Sequence, residues 1–368
     1  MARHGAQTGS GQRGVGAVGC RWEGGCPSVN LEQIDEAQDR RGQAEGGPAF
    51  LRRDRSQKEA TRVAYGKALL ELGRENPQVV VLDADLSKST HTGAFAKEFP
   101  ERFFDMGIAE QDMMGTAAGL AFCGKTVFAS SFAIFATGRA FDQVRNTICY
   151  PALNVKIAAT HAGITVGEDG GSHEAIEDVA LMRSIPNMTV VVPADATETR
   201  LAVKAAAAWE GPVYLRLGRL DVPVLFDEGY PFRIGKAVRL REGRDVALIA
   251  NGVMVAAALE AADRLARDGI EARVINMSTV KPIDAEEIEA AARECGALVT
   301  AEEHNVLGGL GSAVAEVVVQ RRPVPMALVG VQDRFGQSGK PLELLEEYGL
   351  TAADVEAAAR QVVARKGR

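Results

Sequence analysis

From Val79 onward the chain alternates short aliphatic and β-branched runs with segments of helical spacing, and few folds accommodate that rhythm. The runs are VVVLDAD (Val79–Asp85), TVFASS (Thr126–Ser131), VKIAATH (Val155–His161), MTVVVPAD (Met188–Asp195) and VYLRLG (Val213–Gly218). Their near-continuous apolar character suits strands buried on both faces. Helical patterns lie between them, around 109–123, 136–148, 174–183 and 197–209. An earlier helix places Ala60, Val63, Ala64, Ala68 and Leu72 on one face and ends before Pro77. Strands separated by helices pair in parallel, with helices covering both sides of the sheet. The stretch 219–235, with Pro223, Pro231 and mixed charges, interrupts the pattern. It then restarts with VALIANG (Val246–Gly252), EARVINMS (Glu271–Ser278), ALVTAEEH (Ala297–His304) and MALVGV (Met326–Val331), separated by helices at 254–267, 284–294 and 310–321. The expected architecture is α/β: two doubly wound domains, 56–225 and 226–368, within the range of ordinary domain sizes.

Composition narrows the function. A net charge of −7 argues against a nucleic-acid or membrane-surface partner. No apolar run approaches the ~18 residues that a membrane helix needs. Five cysteines lack metal-ligand spacing, so no metal site is expected in this chain. Cys123, Cys149 and Cys295 sit in apolar segments and read as buried thiols of a cytoplasmic protein. Residues 1–55 are rich in Gly, Arg and Gln without hydrophobic periodicity. They read as a disordered extension or as the product of a start codon placed too early.

Open parallel sheets bind ligands outside the carboxyl ends of their strands, and the conspicuous polar residues gather there. The run DMGIAEQDMMGTAAGLAF sets one carboxylate, Glu110, at the start of a segment otherwise dominated by small and apolar residues. Such a carboxylate is costly unless protonated, paired or bonded to a ligand; an exposed helix-start glutamate is the plainer reading. The first strand leads to Asp85 and Ser89, which suit helix caps equally well. Strand Val155–Thr160 ends at His161, followed by GITVGEDGGSH with Asp169, His173 and four glycines. Strand Val213–Gly218 ends beside Arg216 and Arg219, and Phe132 and Phe135 lie in SSFAIF, as core or as a stacking surface.

At GIAEQ, SSFAIF and HAGITVGEDGGSHEAIEDVALMRSIPNMTVVVPAD, in that order, the chain resembles transketolase, a thiamine-diphosphate enzyme. The resemblance runs from about Ser56 to the end and takes in STVKPID (Ser278–Asp284) and AEEHNVLGGLG (Ala301–Gly311). It covers the pyrimidine-binding and C-terminal domains only. The family's other half holds the diphosphate and Mg2+ through a GDG motif and a downstream Asn, and GEDGG is not that motif. The resemblance therefore implies the C-terminal subunit of a split enzyme, working with a separately encoded N-terminal subunit as an α2β2 heterotetramer. It implies that Glu110 bonds the pyrimidine of thiamine diphosphate, that Phe132 and Phe135 stack on that ring, and that Asp85 lies near it. It further implies that His161, Ser89 and Arg219 grip a sugar-phosphate tail, that Asp169 reads a donor hydroxyl, and that His173 meets the reacting carbonyl. Lys88 departs from the family, standing where many full-length enzymes carry proline.

The activity implied is transfer of a two-carbon ketol unit between sugar phosphates. Three alternatives share parts of the pattern: a deoxyxylulose-phosphate synthase, the β subunit of a 2-oxo-acid dehydrogenase, and a non-catalytic paralogue that keeps the fold. The set His161, Asp169, His173 and Arg219 favours transketolase over the dehydrogenase.

Overall fold

In the computed structural model, residues 47–366 are described. Seven strands form the first sheet, in the order Thr279–Lys281, Thr189–Val191, Val213–Arg216, Val155–Thr160, Thr126–Phe132, Val79–Asp83, Phe103–Asp105. All neighbours are parallel except Thr279–Lys281, which runs antiparallel to Thr189–Val191. The central strands are buried along their whole length, which is why they read as apolar runs. Helix Thr61–Glu75 covers one face through Tyr65, Ala68, Leu69 and Leu72, and helix Glu110–Phe122 covers the other through Met113, Met114, Ala117 and Ala118.

The second sheet orders Met326–Val331, Leu298–Asn305, Val246–Ala250, Ala272–Asn276 and Val238–Arg241, the last antiparallel. Its helices are more strongly two-sided. Met254–Arg267 buries Val255, Ala258, Leu259, Ala262 and Leu265. Ala285–Cys295 starts at Asp284, whose side chain accepts the Glu287 N–H, and ends at Gly296 in the left-handed region.

Several expectations need correction. STVKPID lies in the second half of the chain, yet its strand Thr279–Lys281 belongs to the first sheet and ties the two halves together. The helix read over 136–148 is two π-helical segments, Phe135–Arg139 and Gln143–Cys149. The helix read from 174 begins at Asp178, because the Gly-rich loop continues to Glu177. Of the segment 1–55, residues 1–46 lie outside the described residues. Residues 47–55 do not behave as an extension: Leu51 bridges to Phe226, the Arg52 N–H donates to the Leu225 carbonyl, and Phe50 meets the Tyr230 ring edge-on at 5.4 Å.

Buried polar contacts lock the halves. Arg216 donates to Asp178 at 2.8 Å and to the carbonyls of Ala175 and Glu303. Burial pushes the Asp178 carboxyl up, but Arg216 and His304 outweigh it and leave it below the usual carboxylate range. A second lock joins Asn276 Nδ2 to both Glu198 oxygens at 2.9 and 3.0 Å, with Tyr230 donating to the same carboxylate. Burial raises the Glu198 carboxyl to about 7.

Candidate active site

Glu110 opens its helix beside the carboxyl end of strand Thr126–Phe132, and its side chain is 1% exposed. Ser131 Oγ donates to Oε1 at 3.2 Å and Arg139 Nη1 to Oε2 at 3.1 Å. Of the states open to a carboxylate in a greasy segment, the structure therefore has it paired, and the guanidinium offsets part of the desolvation cost. Arg139 was not legible in the sequence. It sits at the end of a π-helical turn, whose extra residue moves side chains off the ordinary helical spacing.

The aromatic residues gather at the carboxyl end of strand Thr126–Phe132, beside this carboxylate. Phe132 and Phe135 stack with centroids 5.8 Å apart and planes 12° from parallel. The His161 ring stacks on Phe132 at 3.8 Å, and His173 approaches Phe135 edge-on at 5.4 Å. The Arg139 guanidinium lies 4.3 Å from the Phe135 centroid. Glu110, Phe132, Phe135, His161 and His173 thus form one connected group.

His161 is 3% exposed and has φ of 56°, a left-handed conformation that turns the chain sharply at the strand end. Thr160 Oγ1 pairs with its Nδ1 at 2.9 Å and Arg62 Nη1 with its Nε2 at 3.2 Å. Burial first, then the charges of Arg62 and Arg219, hold its pKa down at about 3. The ring is neutral at physiological pH. Arg62 also donates to the Ser89 carbonyl at 2.9 Å, so it joins Ser89 to His161. It too escaped the sequence reading, being 27 positions from Ser89 and 99 from His161.

Arg219 donates to the Val166 carbonyl and lies 3.4 Å from Glu168 and 3.7 Å from Asp169. Asp169 is exposed at the tip of the Gly-rich loop. Arg216, by contrast, is committed to Asp178 and is not a site residue. Asp85 has φ of 61° and is exposed; its N–H donates to Asp105 Oδ1 at 3.1 Å. Neither Asp85 nor Ser89 caps helix Ser87–Thr90, whose cap position is Leu86. The buried Asp83 orders that turn instead, accepting from the Leu86 N–H and the Thr90 and Thr92 hydroxyls.

The arrangement offers a buried carboxylate beside stacked rings, with two arginines and a neutral imidazole further out. Comparison with known proteins agrees. Residues 57–224 match the transketolase pyrimidine-binding domain and residues 235–355 the transketolase C-terminal domain. A chain from Methanocaldococcus jannaschii described as a transketolase C-terminal section is 50% identical over 305 residues, covering 82% of this chain and 95% of its own length. A 6-deoxy-6-sulfo-D-fructose transketolase subunit from Clostridium sp. is 46% identical, covering 83% and 95%. A solved split gene transketolase, described as an inactive β4 tetramer, is 59% identical with a TM-score of 0.78, over 84% of this chain and all of its own. The chain therefore belongs to the transketolase family, as the separate subunit that carries the pyrimidine-binding and C-terminal domains.

Proposed function

We propose that this subunit transfers a two-carbon ketol unit between sugar phosphates, using thiamine diphosphate shared with a separately encoded N-terminal subunit. The observation that carries the reading is the buried Glu110 carboxylate beside the stacked rings of Phe132 and Phe135. That donor set fits the cofactor's pyrimidine: a carboxylate accepts from a ring N–H, and aromatic faces accept a flat heterocycle. When bound, thiamine diphosphate supplies the nucleophilic carbon and the electron sink for carbon–carbon bond cleavage.

This chain's residues orient and bind. Glu110 holds a proton at the pyrimidine nitrogen, and Phe132 and Phe135 fix the ring plane. Asp85 borders the cofactor. Arg62, Arg219, His161 and Ser89 take the anionic end of the sugar, with the charge supplied by the arginines because His161 is neutral. Asp169 accepts from a donor hydroxyl. His173 donates to the oxygen on which charge develops. We assign the diphosphate and Mg2+ mainly to the partner, in an α2β2 assembly; the relative described as an inactive β4 tetramer supports that dependence. Of the three thiols expected to be buried, Cys123 is exposed at the end of its helix; the buried free thiols at Cys149 and Cys295 suit a cytoplasmic enzyme of pentose-phosphate interconversion.

The test is reconstitution with the N-terminal subunit and assay against a panel of ketose and aldose phosphates, with a sulfonated ketose included because one relative is named for such a sugar. Glu110→Ala is expected to abolish turnover while leaving assembly intact. Near-normal ketol transfer by that variant would refute the assignment.

A further inference from the structure

The segment Gly336–Pro341 from the second half of the chain crosses the loop that carries Asp169 and His173 so closely that β-carbons added at the facing glycines would overlap their neighbours. A Cβ on Gly170 would stand 2.5 Å from Ser338 Oγ, and one on Gly171 2.6 Å from the Gly336 carbonyl oxygen. A Cβ on Gly336 would fall 1.5 Å from Glu174 Oε2 and 2.7 Å from its Cδ, so the buried Glu174 side chain would have to move. Glu174 directly follows His173 and is 2% exposed. Among the described residues no hydrogen bond of normal geometry reaches its carboxylate, which faces the Gln337 amide and the Glu303 carboxylate.

A buried carboxylate with so little compensation is unfavourable for stability, so packing alone does not account for it. The loop's other end is held from the same side. Glu303 Oε1 accepts the Thr165 N–H at 2.7 Å, and Gly163 lies so close that a Cβ there would meet that oxygen at 2.2 Å. Both ends of the Gly163–Glu174 loop therefore rest on the second half of the chain.

We infer that Gly336 and Glu174 are positioning residues: through their contact the C-terminal domain sets the conformation of the Gly163–Glu174 loop and so the placement of Asp169 and His173. The catalytic consequence rests on the function proposed above, whereas the contact is a property of the chain itself. The C-terminal domain then acts on the donor end of the site without touching substrate.

The experiment has two arms. Hydrogen exchange on the full chain is expected to show faster amide exchange across residues 163–174 in Gly336→Ala than in the wild type. In Gly336→Ala/Glu174→Ala, exchange should return to the level of Glu174→Ala alone, because the overlapping side chain is gone. In the reconstituted enzyme, Gly336→Ala should lower kcat about tenfold or more and raise the ketose KM, with partial recovery in the double variant. If Gly336→Ala does not fold, Glu174→Ala carries the test by loosening the same loop. Unchanged exchange in residues 163–174, or a double variant no better than Gly336→Ala, overturns the inference. Exchange that responds as stated in a complex whose wild type transfers no ketol unit supports the contact and overturns the proposed function instead.

Discussion

Arg139 and Glu110, 29 positions apart, meet at 3.1 Å, and the same guanidinium lies against the Phe135 ring. One side chain thus touches both the carboxylate and the aromatic surface assigned to the cofactor. Its own side chain is 48% exposed while that of Glu110 is 1% exposed, so the pair is lopsided: the carboxylate depends on the arginine more than the reverse.

Removing that arginine should therefore act on Glu110. Arg139→Ala is expected to destabilise the chain by about 1 kcal/mol, at the lower end for a buried carboxylate losing a partner because the cation is half in water. Arg139→Lys should recover much of this by keeping the charge. Urea denaturation of both variants measures it. Equal losses in the two would show that the guanidinium's shape, rather than its charge, matters.

His161 should behave as a neutral ring. Its folded pKa of about 3 lies below the ordinary value, so the unfolded chain takes up a proton that the folded chain refuses. Stability from this group is complete above about pH 6.5 and falls as pH drops toward 3. Inorganic phosphate bound among Arg62, His161 and Arg219 would neutralise the two nearby charges and raise the titration of the ring. NMR of the His161 ring should show no midpoint between pH 5.5 and 8 in phosphate-free buffer and an upward shift with phosphate. A midpoint near 6.5 without phosphate contradicts this placement.

Arg216→Ala should be among the most damaging single changes. It strips the main counter-charge from the fully buried Asp178 and removes donors to the Ala175 carbonyl and, across the two halves, to the Glu303 carbonyl. Losing one member of such a pair costs about 3–5 kcal/mol. Arg216→Ala/Asp178→Ala should be less unstable than Arg216→Ala alone, and chemical denaturation of the set decides it. Because Arg216 holds the Asp178 carboxyl below its ordinary range, the pair's contribution is present above the unfolded pKa and is lost as pH falls through the folded one.

How far these features were readable in advance follows from burial. The strands at the centre of each sheet are covered on both faces and left unbroken apolar runs. The edge strands Phe103–Asp105 and Val238–Arg241 face water in part and carry charge, so they left none. Phe132, Phe135, His161 and His173 were found because each follows or ends a recognisable strand, and Glu110 because it opens a segment otherwise dominated by small and apolar residues. Arg62, Arg139 and Glu174 were not, since their meaning lies in long-range partners: a turn and a histidine far along the chain, a helix start, and a loop of the other half. The crossing of Thr279–Lys281 into the first sheet was hidden for the same reason.

Glu174 offers a pH test that is independent of activity. Burial first, and the Glu303 carboxylate second, raise its pKa from 4.5 to about 7. The folded chain therefore holds a proton there more tightly than the unfolded chain. The penalty for ionising it is absent below about pH 4.5, grows as pH rises, and is complete above about 7. Glu174→Gln keeps the shape and cannot ionise. Its melting temperature relative to the wild type should therefore climb between pH 5 and pH 8 and then level off. Glu303 and Tyr348 face the same carboxylate and remain in both proteins, so their own titration largely cancels in the difference. A difference that stays flat across that range would mean that Glu174 is ionised throughout, and that the approach of Gly336 leaves room for water to reach it.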